Sequence, residues 1–255
     1  MARLGDITTA LDQLLTPERF RDYCPNGLQV AHPDGADAEI SLVVTAVSAD
    51  GEALDAAAAL GADLVLVHHG LFWDGDPRAL DRVAAGRLRT VLGHGMALVA
   101  YHLPLDGHPE LGNNHLLCRA LGAESTPWAG SGSPPIGSIA RFDPPVPAAE
   151  LRRRVEQVAG QPPVDFLHGP EQVSRLAVVS GAAASMLPAV AADGLDGLLT
   201  GEPREQTRGL AREHGLHAIC AGHHATERLG VQALGDWLVD RFGVRHRFVE
   251  THNPV

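Results

Sequence analysis

Residues 59–70 read ALGADLVLVHHG, and residues 192–203 read ADGLDGLLTGEP. A second pair of related stretches follows, GMALVAYHLPLD at 95–106 and GLHAICAGHHAT at 215–226. In all four, a short apolar run ends in polar side chains of ligand type. Runs of that length between helical patterns of 10–15 residues read as buried strands of layered α/β structure. In the first half the strands fall at 41–47, 63–67 and 97–101, and helices at 52–60, 78–92 and 110–121. The second half continues with strands at 138–142, 164–167, 174–180, 195–200, 216–221 and 244–250. Its helices fall at 147–159, 182–192, 203–214 and 225–241. The alternation predicts the α/β class, with mostly parallel sheets in two similar lobes.

The stretch AESTPWAGSGSPPIG (123–137) is rich in Gly, Ser and Pro and reads as the connection. The expected lobes are therefore 1–125 and 126–255, with a site at the cleft between them. At the start of the chain, Asp6 reads as an N-cap before Ile7, Leu11, Leu14 and Leu15 at helical spacing. Pro17 opens a second short helix. MARLGDITTALDQLL has no apolar core of signal-peptide type.

Composition narrows the function. The 255 residues carry 20 Lys and Arg against 31 Asp and Glu, a formal net charge of −11. That balance opposes a dedicated duplex-DNA or anionic-membrane binder, which needs a positive footprint. Aromatic residues make up only 4%, too few for single-strand stacking platforms. Arg152-Arg153-Arg154 and Arg245/Arg247 are the local exceptions that could line a basic surface. Cys24, Cys118 and Cys220 form no C-x-x-C pair, a usage that fits a reducing cytoplasm. No apolar run approaches the ~18 residues of a membrane span. There is no Gly-x-x-x-x-Gly-Lys loop and no Gly-x-Ser-x-Gly elbow.

The fourteen histidines are the unusual feature, because several are doubled or sit near carboxylates at strand ends. In open α/β sheets, sites form beyond the carboxyl ends of strands. His68 and His69 alternate faces while the strand lasts, so they share a site only if it has ended, a turn Gly70 permits. His102 and Asp106 flank Leu103-Pro104-Leu105, which reads as a shaped loop. His223 and Glu227 stand four apart at the start of a helix and face one way. Each cluster alone has an ordinary structural explanation, in capping or in hydration. Three together suggest a metal site with His68, His69, Asp106, His223 and Glu227 as ligands of two divalent ions. Mixed imidazole and carboxylate donors suit zinc, iron or manganese. His102 and Glu202 are the candidates for proton transfer or for organising the ligands, and His224 is expected to stand behind the ligands.

NGLQV (26–30), LVLVHHGLFW (64–73), YHLPLDGHPELGNN (101–114), LLTGEPREQ (198–206), GLHAICAGHHATERLG (215–230) and NPV (253–255) together resemble the Nif-three-like dinuclear-metal-centre family, often labelled GTP cyclohydrolase 1 type 2 homologues. The resemblance implies that these five residues hold two ions, with Glu227 and Asp106 touching or bridging both. It also implies a homohexamer built as a trimer of dimers, and GTP cyclohydrolase chemistry. One departure is SGAAAS (180–185), where relatives often carry a run of glycines. A dinuclear site makes a metal-dependent hydrolase the leading expectation, acting on a nucleotide-like substrate or a cyclic amide. The alternative is a non-enzymatic metal-binding scaffold that forms a ring.

Overall fold

The computed structural model describes residues 1–255. β1 (Ala2–Arg3) precedes α1 (Leu4–Leu15), which buries Leu4, Ile7, Leu11 and Leu15 along one stripe. Asp6 lies in the first turn of α1 rather than at its N-cap, where its carboxylate still meets the positive end of the helix dipole. The short helix expected at Pro17 is one 3-10 turn, Pro17–Arg19. There follow β2 (Gly27–Val30), β3 (Glu39–Ile40), β4 (Leu42–Ser48), α2 (Gly51–Leu60), β5 (Leu64–His69), α3 (Arg82–Gly93) and β6 (Ala97–Ala100). Next come α4 (Leu103–Asp106), α5 (Asn113–Ala120), β7 (Glu124–Pro127), β8 (Ser138–Pro147), α6 (Ala148–Ala159), β9 (Val164–Leu167) and β10 (Gln172–Val178). The chain closes with α7 (Leu187–Ala192), β11 (Gly197–Thr200), α8 (Thr207–His214), β12 (His217–Cys220), α9 (His223–Phe242) and β13 (Arg245–Phe248). No helix is long and apolar enough to cross a membrane.

The chain divides into two compact units, Met1–Leu105 with Val231–His252, and Asp106–Gly230 with Asn253–Val255. This differs from a boundary at 125/126. The Gly, Ser and Pro of 123–137 mark turns around β7, an edge strand paired antiparallel with β8 (Ser125 opposite Ala140). β13 pairs parallel with β4, so the last strand belongs to the first unit's sheet.

The first unit holds a five-stranded sheet of order β13-β4-β5-β6-β2, in which only β2 runs antiparallel. Val44, Ala46, Val65, Val67 and Leu98 line one face and pack with Leu54 of α2 and Val91 of α3. The second unit holds a six-stranded sheet of order β7-β8-β10-β11-β12-β9. Its centre, β10-β11-β12, is parallel, and β7, β8 and β9 join antiparallel. This sheet is therefore mixed where mostly parallel pairing was expected. Leu176, Val178, Leu199 and Ile219 point to one apolar layer with Leu151 and Val155 of α6. Their neighbours Ala177, Leu198 and Ala218 point to the other, with Leu187 of α7 and Ala211 of α8. Both faces are covered, as period-2 alternation in a buried sheet requires.

The paired sequences at 59–70 and 192–203 have a structural counterpart. Each unit contains the order strand, helix, strand, helix, strand: β4-α2-β5-α3-β6 and β10-α7-β11-α8-β12. Leu64 pairs with Val43 and Ala97, and Gly197 pairs with Leu176 and His217, the same ladder position. Asp63 Oδ2 accepts the backbone N–H groups of Ser41 and Leu42 at 2.8 and 2.9 Å. Asp196 Oδ2 accepts those of Ser174 and Arg175 at 2.7 Å each. An aspartate at the same position thus ties down the first strand of each repeated strand-helix series, β4 and β10.

Candidate metal centre

In the first unit, β5 carries LVLVHH to its last residue, so His68 and His69 both lie within the strand. Their rings nevertheless stand 4.7 Å apart between centroids, at the strand's final residue, where backbone alternation no longer separates them. Gly70 is needed for space rather than for an unusual turn, because a Cβ there would run into the Gln29 amide. His102 follows β6, with its ring centroid 4.9 Å from that of His68. The ligand nitrogens of His68, His69 and His102 lie within 4.8 Å of one another.

Hydrogen bonds orient these rings. His68 Nδ1 lies 3.0 Å from the Tyr101 carbonyl oxygen, which can only accept, so the lone pair of the ring sits on Nε2. His102 Nδ1 lies 2.8 Å from Asp22 Oδ1, with the same consequence. His69 Nδ1 lies 3.0 Å from Ser48 Oγ. Asp22 also accepts the N–H groups of Cys24 and Leu103 and the Asn26 amide. Burial would raise its pKa, but the bonds from His102, Asn26 and Cys24 outweigh burial and bring it down to about 2. Asn26 Oδ1 accepts the His102 N–H at 2.7 Å, and Gln29 Oε1 accepts the Leu71 N–H at 2.8 Å. These contacts assign a structural task to the NGLQV stretch.

Residues 103–106 form a single helical turn instead of a loop, because proline is tolerated in a helix's first turn, and Asp106 at its end is the first residue of the second unit. Asp106 is 7% exposed, and its Oδ1 accepts Asn113 Nδ2 and Ser180 Oγ, each at 2.9 Å. His223 and Glu227 occupy the first turn of α9, with Nε2 3.2 Å from Oε2. His223 Nδ1 is held by Glu202 Oε1. Burial lowers the His223 pKa, but Glu227 and Glu202 together overcome that and raise it to about 9. The Glu227 carboxylate has ligand atoms of both His223 and Asp106 within 4.8 Å. Gly181 leaves room for this arrangement. Its φ is +66°, and a Cβ there would lie 2.5 Å from Glu227 Oε1 and 3.2 Å from His223 Nε2. His224 is 5% exposed, and its backbone N–H bonds the Val255 carbonyl at 2.9 Å.

Each unit therefore assembles its own half of the expected residues, and the protein has His, Asp and Glu groups that could hold a metal ion. The donor chemistry fits: imidazoles whose second nitrogens are tied to a carbonyl or a carboxylate are the usual metal-binding arrangement. Asp22, Asn113 and Asn114 had no role in the sequence-based expectations, and Ser180 and Gly181 entered only as part of the SGAAAS departure. The clue to Asn113 and Asn114 was the GNN of 112–114, where Asn114 Oδ1 also accepts the Ser180 N–H at 2.7 Å. Asp22 left no comparable signal. The arginine run is not a bare basic surface: Arg152 pairs with Asp165 and Glu156, and Arg153 and Arg154 pair with Glu150. All three cysteines are free and buried, and burial pushes the thiols of Cys118 and Cys220 up to about 12, which makes them poor nucleophiles.

Fold and site together define an α/β protein with clustered imidazole and carboxylate donors at strand ends. The family model Duf34/NIF3 (NGG1p interacting factor 3) matches residues 2–254, and the chain belongs to that family. A Pseudomonas aeruginosa protein called GTP cyclohydrolase 1 type 2 homolog is 42% identical over 256 residues, covering 99% of this chain and 98% of its own. The Escherichia coli protein of the same name is 41% identical over 258 residues, covering 97% and 99%. Among solved structures, protein ybgI, described as of unknown function, superposes with a TM-score of 0.93 at 38% identity and full coverage of both chains. A Thermus thermophilus structure gives 0.90 at 34% identity, again with full coverage of both.

Proposed function

We propose that the donors of the two units act together as a dinuclear centre and that the protein is a divalent-metal-dependent hydrolase. The reading assigns His68, His69, Asp106, His223 and Glu227 as ligands of two ions, from among zinc, iron and manganese, with Glu227 shared between them. The observation that carries it is the buried Glu227 carboxylate, which has donor atoms of Asp106 and His223 within 4.8 Å. A carboxylate so flanked is suited to bridging. Two bound divalent ions would supply a nucleophile from water at neutral pH and polarise the group it attacks.

The chain's own groups do the rest. Glu202 holds the His223 ring through Nδ1 and so directs Nε2. Asn113 and Ser180 hold the Asp106 carboxylate through Oδ1. His102, whose Nδ1 is held by Asp22 Oδ1, has Nε2 left for the site and is the residue for proton transfer. The names of the Pseudomonas and Escherichia relatives support a GTP cyclohydrolase-like substrate, or another nucleotide-like or cyclic amide compound. The unbridged, buried cysteines support a cytoplasmic location. A homohexamer is the assembly this reading carries, tested by sizing with and without chelator.

The test is turnover of GTP, cyclic amides and phosphoesters by metal-loaded protein. Activity that needs metal and disappears in His68→Ala and Glu227→Ala, with the fold intact, is the expected result. Turnover that persists in metal-free Glu227→Ala protein would remove the reading.

A further inference from the structure

Leu71, Phe72 and Trp73 follow the paired histidines directly, and they form one wall of a cavity of about 320 Å³ within the first unit. Val83, Arg87 and Leu88 of α3 form another part of its lining. The volume is at the lower end of the range for small-molecule sites. Trp73 links this cavity to the histidines, with its ring 5.8 Å from His69 and 5.3 Å from His102 between centroids.

The polar lining is asymmetric. Asp76 is engaged by the Trp73 N–H at 2.9 Å, and Asp81 caps α3 through the Ala84 N–H at 2.8 Å. Arg87 Nε is buried without a hydrogen-bond partner. No other arginine has a side-chain nitrogen buried in this way. An unsatisfied buried donor is costly unless something accepts from it. A planar guanidinium beside apolar and aromatic walls suits a ligand that is flat at one end and anionic at the other.

We infer that this cavity is a binding subsite for a planar aromatic ring carrying one anionic group, with the ring seated against Trp73 and Leu88 and the anion paired with Arg87. It would hold the part of the substrate remote from the reacting bond, with Trp73 between it and the histidines. That last role rests on the hydrolase reading; binding in the cavity does not.

The test titrates metal-free, full-length protein with 1-naphthyl phosphate and with uncharged 1-naphthol by calorimetry. Saturable binding of both is expected. Arg87→Gln should weaken the phosphate about tenfold or more while leaving naphthol unchanged, as loss of a charge-assisted pair demands. Arg87→Lys should recover part of the loss, which separates a lost charge from a damaged helix. Trp73→Leu should weaken both ligands. Absence of saturable binding, or equal phosphate affinity in Arg87→Gln, overturns the inference. So does self-association of the wild type that Leu80→Ser, at an exposed residue of the cavity lining, abolishes, if the phosphate fails to compete with it, because the cavity would then face a second copy. Failure of the metal reading shows separately, as wild-type protein that takes up no metal.

Discussion

Glu227 Oε2 stands 3.2 Å from His223 Nε2 on the first turn of one helix, while Glu202 grips the other nitrogen of the same ring. In the metal-free chain this imidazole sits between two carboxylates, and its pKa is raised to about 9 against an ordinary 6.5. A raised folded-state value stabilises the fold fully below pH 6.5, and the gain is lost as pH rises through about 9. Metal-free protein should therefore lose stability across that window, and His223→Gln should flatten the loss. Thermal melts in chelator from pH 6 to 10 measure both.

A metal ion must displace that proton. Zinc binding at pH 7.5 should release about one proton from His223, and apparent affinity should rise with pH toward 9. Calorimetry in buffers of different ionisation enthalpy counts the protons. Release that is the same in His223→Gln would exclude His223 as the source.

Gly181→Ala should be damaging twice over. The backbone φ of +66° disfavours a side chain, and the new methyl group would press on Glu227 Oε1 and His223 Nε2. The cost to stability should be about 1 kcal/mol or somewhat more. Metal content should fall further than that small loss explains. A melting curve and elemental analysis on one preparation separate the two effects.

Asp22→Asn should uncouple orientation from ligation. The amide keeps one acceptor for backbone N–H groups but replaces a carboxylate that His102, Asn26, Cys24 and Leu103 all donate to. A stability loss of about 1–3 kcal/mol is expected at neutral pH. The depressed Asp22 pKa makes this contribution present above 3.8 and lost as pH falls toward about 2, so wild type and variant should converge in acid. Turnover should drop more than metal content if His102 carries the proton transfer proposed for it.

Asp63→Ala and Asp196→Ala test the duplicated architecture. Each carboxylate accepts two backbone N–H groups at the start of a strand. Each loss should cost about 1–3 kcal/mol, and the two costs should be similar. Chemical denaturation measures them. A cost near zero at either position would show that the shared geometry is not a shared support.

Much of this was readable in the chain. Apolar runs such as LVLV and LLT reported buried strands, because a strand covered on both faces is apolar throughout. The two His/carboxylate pairs at i, i+4 were visible as spacing. The units' limits were not, because β13 returns to pair with β4, and nothing local encodes a partner about 200 residues earlier in the chain. The edge strand Glu124–Pro127 was hidden by its glycine- and proline-rich surroundings. The turn at Leu103–Asp106 was hidden by Pro104, read as a breaker although it sits where a helix tolerates it. Asp22 was invisible for another reason: its role depends on His102, eighty residues away.

Elemental analysis of zinc-loaded, desalted protein bears hardest on the whole account. About two zinc ions per chain are expected for a dinuclear centre, falling to one or none in Glu227→Ala with an unchanged circular dichroism spectrum. Wild-type protein that retains no zinc, or a Glu227→Ala variant that retains the full complement, would contradict it.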